Sequence, residues 1–261
     1  MQLTQDDAVA IGSRMVFICG LHRSGTSLIH RCMGDHPDIS AFADTGAPED
    51  EGQHLQSVYP TARAHGGPGR FGLDADSHLT ETSPLVTDAN RRRLLEEWLP
   101  HWDLSRRLLV EKSPPNLVRI RFLRALFPGS RFIVITRHPA VIACATQRSA
   151  ITTLTSLVHH WVVCHETMRS DISGLDGVHV LRYEDFVADP TGTLARIQES
   201  LGLEPAGIDE TVRAGINDKY FRQWRSRTWY NPLRVDQILA TRRYEERVRA
   251  FGYSLRSLDV G

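Results

Sequence analysis

Short apolar runs alternate with longer amphipathic stretches along most of this chain. Four of the runs have the length and apolar character of buried strands, and they lie at about 15–20, 107–111, 131–136 and 178–182. Apolar positions at helical spacing are found at 88–99, 115–127, 139–149, 153–171 and 190–201. Because strands that alternate with helices are typical of parallel βαβ units, the pattern predicts an α/β fold with a central parallel sheet flanked by helices.

Two regions depart from this regular pattern. Residues 40–80 hold many Gly, Pro, Asp, Glu and His residues and little periodicity, apart from a possible short helix at 49–58 and a turn at 66–69. An irregular segment of this length is more often a functional loop than a simple connection. The C-terminal part, about 203–261, is predicted to be mostly helical. Since no boundary stands out, we expect one domain over residues 1–261.

Composition restricts the partners and the compartment. Lys plus Arg and Asp plus Glu number 31 each, so no overall charge attracts nucleic acid or an anionic membrane. No stretch approaches 18 apolar residues, and the first residues resemble no export signal. The four cysteines form neither a C-x-x-C pair nor a zinc pattern, which indicates free thiols in a reducing compartment. We therefore expect a soluble, cytoplasmic protein without a membrane-inserted segment.

The first apolar run leads into a glycine-containing loop that is followed at once by a helical pattern. The segment from Gly20 to Ser27 reads Gly-Leu-His-Arg-Ser-Gly-Thr-Ser. A strand, a glycine loop and a helix N-terminus together bind phosphate groups through free backbone N–H groups and the helix dipole. The lysine of the triphosphate-binding loop is replaced by Thr26, and the loop's cation is Arg23. The sequence thus predicts a P-loop-like domain and favours a phosphosulfate over a triphosphate.

Charged residues follow the other predicted strands. Lys112 comes after the second strand, Arg137 after the third and Arg182 after the fourth. Because the carboxyl ends of parallel strands meet at one edge of a sheet, these cations are expected to face a common crevice. This arrangement suits a ligand with two separated anionic groups. As an alternative, Arg137 pairs with Glu184 or Asp185 and only holds loops together.

Histidine and carboxylate spacing predicts no metal site. His159 and His160 are adjacent and therefore do not share a helix face, and His165 is expected to pack beside Trp161. A magnesium-dependent kinase also needs an acidic strand end, whereas the third strand ends in Arg137. The sequence therefore argues against metal-assisted phosphoryl transfer.

Four motifs in order resemble the sulfotransferases that use 3′-phosphoadenosine-5′-phosphosulfate (PAPS). They span about residues 15–202 and comprise 20–27 with the following His36-Pro37-Asp38, 111–116, 127–139 and 181–190. The arginine in the first loop makes the chain more similar to bacterial and protein-tyrosine sulfotransferases than to the cytosolic lysine-loop type.

The resemblance implies a set of PAPS-binding residues. The 5′-phosphosulfate would contact the first loop through Arg23, Ser24, Gly25, Thr26 and Ser27. Arg137 would hold the 3′-phosphate, and Tyr183 would form a wall near the adenine. The family's serine eight residues after that arginine is replaced by Ala145. Thr146 or Ser149 is the expected substitute.

The resemblance also implies a base that takes the proton of the acceptor hydroxyl. In related enzymes a glutamate follows the loop by about twenty residues, and Asp44 stands at that place. A second group lies slightly further on and comprises Glu49, Asp50, Glu51 and His54; a helix N-terminus at Pro48 would explain these acids without catalysis. Lys112 would stabilise the sulfuryl oxygens or bind the acceptor, unless it is a surface lysine near a turn.

We therefore expect a metal-independent sulfotransferase that acts on a hydroxyl of a small-molecule, carbohydrate or lipid-like acceptor. The alternatives are a small-molecule kinase with a degenerate loop and a non-catalytic nucleotide-binding module. The basic and aromatic segment 219–227 is a candidate cover for the nucleotide. Aromatic residues hint at a partly apolar acceptor, namely Phe71, Tyr220, Phe221, Trp224, Trp229 and Tyr230.

Overall fold

A computed structural model of the chain, which describes residues 4–208, 210–226 and 232–259, contains a five-stranded parallel sheet. The strand order is β2-β3-β1-β4-β5, and every neighbouring pair is parallel. The strands are β1 (Met15–Cys19), β2 (Ile39–Ala41), β3 (Leu108–Lys112), β4 (Arg131–Thr136) and β5 (Val178–Arg182). The predicted α/β class with a central parallel sheet is confirmed.

Helices cover both faces of the sheet. They are α1 (Gln5–Gly12), α2 (Thr26–Gly34), α3 (Asp88–Trp98), α4 (Ile120–Leu126), α5 (Pro139–Thr146), α6 (Leu154–Asp171), α7 (Tyr183–Ala188), α8 (Pro190–Ser200), α9 (Ile216–Arg225) and α10 (Pro232–Arg249). Side chains of β1 alternate between two cores, with Phe17 in one and Val16 and Ile18 in the other. The first core lies under α3, α4, α6 and α10, and the second under α2 and α8. This period of two is what a strand buried on both faces requires.

Four differences from the predicted elements concern short or interrupted segments. The edge strand β2 was missed because three residues are too few to give a pattern. The prediction of a helix at 49–58 was wrong, because two 3₁₀ turns occupy Pro48–Asp50 and Gly52–His54. Glu49 and Asp50 have positive φ angles of 55° and 50°, which an α-helix does not allow. The helix at 115–127 divides into a 3₁₀ turn and α4. The helix at 139–149 ends at Thr146.

The register of the central strands brings the predicted crevice together. Ile18 pairs with Lys112 on one side, and Cys19 pairs with Val134 on the other. The loops after β1, β3 and β4 therefore begin at the same edge of the sheet. In the described ranges, no helix is both long enough and apolar enough to cross a membrane.

Candidate functional site

The loop between β1 and α2 is shaped for an anion. Arg23 and Gly25 both have positive φ angles, 72° and 107°. A Cβ atom on Gly25 would lie 2.6 Å from the Tyr183 ring, so this position requires glycine twice over. The first amides that donate within α2 are those of Leu28 and Ile29, both to Gly25 O at 3.1 Å. The amides of Thr26 and Ser27 therefore precede the helical hydrogen bonds, as in helix N-termini that bind phosphate.

One loop residue differs in its placement from the others. Arg23, Gly25, Thr26 and Ser27 line an open cleft, whereas Ser24 is 1% exposed and does not line it. The Ser24 amide donates to Leu21 O at 3.0 Å, and its hydroxyl is buried without a partner. The structure thus brings four of the five predicted phosphosulfate ligands to the cleft and places Ser24 beneath the loop.

We refer to this cleft, which contains the loop predicted to bind the phosphosulfate donor, as the donor cleft. It has a volume of about 530 Å³ and extends from the loop to the end of β4. It is also lined by Arg137, Tyr183, Arg213 and Tyr220. Among the described residues, four arginines line the cleft, and one of them, Arg31, is paired with Glu210 at 3.1 Å. A cleft lined by several cations suits a ligand that carries two anionic groups.

Three contacts fix the guanidinium group of Arg137. It lies over the Tyr183 ring at 3.8 Å, donates from Nη1 to Arg23 O at 2.8 Å, and donates from Nε and Nη2 to Asn217 Oδ1 at 2.9 and 2.6 Å. The Asn217 amide donates in turn to Glu184 Oε1 at 2.8 Å. Glu184 therefore reaches Arg137 through Asn217 rather than by the direct pairing considered above. Sequence reasoning missed Asn217, which lies 80 residues from Arg137.

The residues considered as substitutes for the family serine lie elsewhere. Ala145 lines the donor cleft. Thr146 and Ser149 line a second pocket instead, and the Ser149 hydroxyl donates to Thr146 O at 3.1 Å. A helix continued to residue 149 would place Ser149 on the face of Ala145, one turn later. However, α5 ends at Thr146, and Ser149 lies in the turn that follows, where its amide donates to Thr146 O at 3.0 Å.

The second pocket adjoins the donor cleft and holds about 120 Å³. Four residues line both spaces, namely Arg23, Thr26, Ser27 and Glu49. These shared residues mark the place where the two spaces meet. We refer to the smaller space, which also has Glu51 in its wall, as the acceptor pocket.

Lys112 lies beneath this junction and is completely buried, so the surface-lysine alternative is wrong. Its Nζ donates to Glu49 O at 2.7 Å and lies 3.4 Å from both Ser27 Oγ and Glu51 Oε1. The other oxygen of Glu51 accepts a hydrogen bond from Gln53 Nε2 at 2.5 Å. Lys112 therefore joins the anion-binding loop to the segment 48–54, and Glu51 is held at both oxygens.

The other candidate bases are placed differently. Asp44 is exposed, has a φ of 53° and lines neither the donor cleft nor the acceptor pocket. Asp50 accepts hydrogen bonds from the amide and hydroxyl of Thr45 at 2.9 and 2.7 Å. His54 lies at the edge of the site, with Nε2 3.8 Å from Glu51 Oε2. Glu49 is exposed, and its carboxylate accepts a hydrogen bond from Ser27 Oγ at 3.3 Å.

A buried carboxyl group supports the segment 48–54 from below. Glu111 accepts hydrogen bonds from Ser113 Oγ and Asn116 Nδ2, both at 2.6 Å, and Ser113 Oγ accepts the Gln53 amide at 2.9 Å. A Cβ atom on Gly52 would lie 2.5 Å from the Glu111 side chain, so the two segments are in close contact. Burial raises the pKa of Glu111 to about 7, although its two hydrogen bonds favour the ionised form.

This pKa predicts a pH-dependent stability. A carboxyl group with a pKa of about 7 when folded and 4.5 when unfolded binds more protons in the folded state, so the stability falls as pH rises from about 4.5 to 7. A pKa difference of this size corresponds to about 3 kcal/mol. We expect the free energy of unfolding of the wild type to fall by that amount relative to Glu111→Gln, measured by urea unfolding between pH 4.5 and 8. If the free energy of unfolding changed with pH equally in the two proteins, the result would contradict this prediction.

Histidine placement agrees in part with the sequence analysis. His165 stacks on Trp161 and bonds to the Trp161 carbonyl through Nδ1 at 2.7 Å, so the predicted packing role is confirmed. Over the described part of the chain, no group of three or more His, Cys, Asp or Glu residues could hold a metal ion.

Most of the aromatic residues cited for an apolar acceptor lie elsewhere. Phe71 and Trp224 are buried in the core, Phe221 packs against it and Tyr220 lines the donor cleft, while none of these four lines the acceptor pocket. The remaining two, Trp229 and Tyr230, and the end of the basic segment at Arg227 lie outside the described residues.

Comparison with known proteins gives consistent similarities. A family model described as "Sulfotransferase family" matches residues 15–206. Omega-hydroxy-beta-dihydromenaquinone-9 sulfotransferase Stf3 of Mycobacterium bovis is 27% identical over 194 residues, which cover 67% of this chain and 48% of that protein. Protein-tyrosine sulfotransferase 2 of Gallus gallus is 24% identical over 198 residues, which cover 72% and 51%. The chain spans about half the length of these curated relatives.

A solved structure shares the fold. Sulfotransferase STF1 of Mycobacterium tuberculosis H37Rv superposes with a TM-score of 0.56 at 18% identity, covering 94% of this chain and 78% of that one. At this level of identity the likeness concerns the fold alone.

Proposed function

Since this chain belongs to the sulfotransferase family, as its four motifs predicted, we propose that it transfers a sulfuryl group from PAPS to a hydroxyl group of an acceptor. One observation carries the proposal. The arginine-lined donor cleft meets the acceptor pocket at Arg23, Ser27 and Glu49, with Lys112 buried beneath the junction.

The residues of the cleft fit PAPS. The donor carries its anionic groups at the two ends of an adenosine, and the cleft is lined by Arg23 in the loop and by Arg137 after β4. The loop amides of Thr26 and Ser27 would hold the 5′-phosphosulfate, and Arg137 would hold the 3′-phosphate. Tyr183, already stacked on Arg137, would form the adenine wall. When bound, PAPS supplies an activated sulfuryl group on a good leaving group.

The chain's part in the reaction is to position charge and to move one proton. Sulfuryl transfer resembles phosphoryl transfer, in which a loose in-line transition state depends on alignment and charge neutralisation. Arg23 lines both spaces and would neutralise the charge that develops on the bridging oxygen. Lys112, whose Nζ lies 3.4 Å from Ser27 Oγ, would stabilise the sulfuryl oxygens from below.

We assign the base to Glu51 among the candidates. A base must lie on the acceptor side, and Glu51 lines the acceptor pocket but not the donor cleft. Gln53 and Lys112 hold its two oxygens, which fixes its orientation. Glu49 lines the donor cleft as well, where its charge would face that of the donor.

Labelled PAPS tests the proposal directly. Incubation with ³⁵S-PAPS and a panel of hydroxyl compounds should give a labelled product, and ATP with Mg²⁺ should give none. Transfer of the γ-phosphate of ATP would favour the kinase alternative. Nucleotide binding by the wild type without transfer to any acceptor would favour the non-catalytic module.

Arg137→Ala is expected to weaken donor binding by about 10- to 150-fold, because a charge-assisted hydrogen bond contributes roughly 1.5–3 kcal/mol. The weaker binding should appear as a higher KM for PAPS, with a smaller change in kcat. Arg256, an exposed arginine that does not line the cleft, gives the matched control Arg256→Ala. An unchanged KM in Arg137→Ala would remove this residue from the donor site.

The compartment is also a proposal. All four cysteines are buried free thiols, namely Cys19, Cys32, Cys144 and Cys164. Free thiols fit a reducing environment, and we propose that the protein acts in the cytoplasm on a small-molecule acceptor.

A further inference from the structure

Most of the described residues in the wall of the acceptor pocket have polar side chains. Apart from two prolines, every lining side chain carries a hydrogen-bonding group: His22, Arg23, Thr26, Ser27, Glu49, Glu51, Thr146 and Ser149. Among the described residues, the hydrocarbon side chains in the wall are those of Pro68 and Pro114. Since ligand pockets are usually lined mainly by hydrophobic and aromatic side chains, eight polar residues out of these ten favour a polar ligand fragment.

Most of the groups that remain for an acceptor are hydrogen-bond acceptors. The carboxylates of Glu49 and Glu51 accept only, whereas serine and threonine hydroxyls do either. Of the nearby cations, Arg23 faces the donor as well, and Lys112 already donates to Glu49 O beneath the pocket. A ligand with several donors would therefore match this wall.

His22 adds a further hydrogen-bonding group. Burial first, and then the charges of Lys112 and Arg23, lower the pKa of His22 to about 4, so the ring is neutral near pH 7. A neutral imidazole has one accepting nitrogen and one donating nitrogen. The ring lies edge-on to Phe71, and its Nδ1 is buried without a partner among the described residues. Because this nitrogen has no surface open to the pocket and His22 lines the pocket, Nε2 is the ring nitrogen that would bond to a ligand there.

The size of the pocket limits what enters it. Its volume of about 120 Å³ is well below the roughly 300–1,000 Å³ typical of pockets that enclose a drug-sized ligand. Only the fragment that bears the reacting hydroxyl would fit, and the rest of the acceptor would lie outside. The pocket would therefore select for this fragment and not for what is attached to it.

We propose that the acceptor presents a polyol or sugar-like fragment, in which a further hydroxyl lies beside the one that is sulfated, and that His22 is a specificity-determining residue for that neighbouring hydroxyl. The inference rests on the proposed sulfotransferase function. The fragment can be free or attached to an apolar carrier, because the carrier would remain outside the pocket.

Matched acceptors test whether the acceptor carries a polyol or sugar-like fragment. The panel contains methyl and octyl glycosides of several common sugars, together with 1-octanol, cyclohexanol and phenol, each with ³⁵S-PAPS. The best glycoside should exceed the best simple alcohol by at least about 100-fold in kcat/KM, because a site built to bind a hydroxyl strongly rejects analogues that lack it. Methyl and octyl forms within about tenfold of each other would indicate a free fragment, and a large preference for octyl would indicate a carried one. A simple alcohol or phenol as the best acceptor would overturn the proposal.

Variants of His22 test whether this residue determines the specificity for the neighbouring hydroxyl. His22→Leu should lower the glycoside-to-alcohol ratio of kcat/KM by at least about tenfold, and His22→Gln, which keeps a hydrogen-bonding group, should retain most of it. Binding of 3′-phosphoadenosine 5′-phosphate by each variant shows whether the loop is intact. An unchanged ratio in a variant that binds this nucleotide would overturn the role of His22. Transfer to no acceptor would count against the proposed function as well, whereas a preference for alcohols counts against the acceptor class alone.

Discussion

Arg23→Ala is expected to lower kcat by about 10²–10³-fold, which is the usual effect of removing one preorganised donor at a site of developing charge. Arg23 is exposed in the anion-binding loop, and it lines both the donor cleft and the acceptor pocket. Its backbone has a positive φ of 72°, a strain that arginine and alanine share. The Arg23 carbonyl that accepts from Arg137 also remains. The loss should therefore appear in turnover and leave the fold intact.

Steady-state kinetics with ³⁵S-PAPS measures the effect, and circular dichroism with thermal unfolding checks the fold. Arg63→Ala is the matched control, because Arg63 is exposed and lines neither the donor cleft nor the acceptor pocket. Arg23→Lys should recover only part of the activity, since an ammonium group lacks the planar fork of a guanidinium. A kcat in Arg23→Ala within twofold of the wild type would remove Arg23 from the mechanism.

The second large effect is expected from Glu51→Gln. Loss of a general base commonly lowers kcat by about 10²–10⁴-fold, and glutamine has the same shape but does not take up a proton. Its amide oxygen still accepts the hydrogen bond from Gln53, whereas the 3.4 Å contact with Lys112 is lost because an amide nitrogen does not accept. Lys112 still donates to Glu49 O at 2.7 Å, so the segment 48–54 should keep its conformation. Binding of 3′-phosphoadenosine 5′-phosphate should be unchanged, because Glu51 does not line the donor cleft.

Glu49→Gln is the matched comparison that distinguishes Glu51 from Glu49 as the base. Glu49 lies two residues away and lines both the donor cleft and the acceptor pocket, so its loss removes a negative charge from the donor cleft. We expect Glu49→Gln to retain far more turnover than Glu51→Gln. The opposite order would transfer the role of base to Glu49.

The parts of this site that could be predicted from the sequence are those formed by residues that follow one another in the chain. The strand at 15–19, the glycine loop and the helix start at Thr26 follow one another in the chain, so their arrangement can be read from neighbouring residues. The rule that parallel strands end at one edge of the sheet correctly placed Arg137 in the cleft with the loop. It was wrong for two other strand-end cations, because Lys112 is buried beneath the site and Arg182 does not line the cleft. The family assignment needed only this order of motifs.

The groups that orient these residues were hidden because they lie far away in sequence or depend on where an element ends. Asn217 reaches Arg137 across 80 residues, through an irregular segment and the start of α9. Ser149 was expected one helical turn after Ala145, but α5 ends at Thr146. Gln53 is 1% exposed and was missed, although a buried polar side chain next to a carboxylate is a common sign of a positioning role.

The central claim is that one cleft holds both ends of a doubly anionic adenosine nucleotide, with Arg137 at the 3′-phosphate. Titration calorimetry with 3′-phosphoadenosine 5′-phosphate and with adenosine 5′-monophosphate, on the wild type and Arg137→Ala, tests it most directly. We predict that the bisphosphate binds the wild type at least about 30-fold more tightly than the monophosphate, and that Arg137→Ala removes most of this difference. Equal binding of the two nucleotides by the wild type, or binding of neither, would contradict the account.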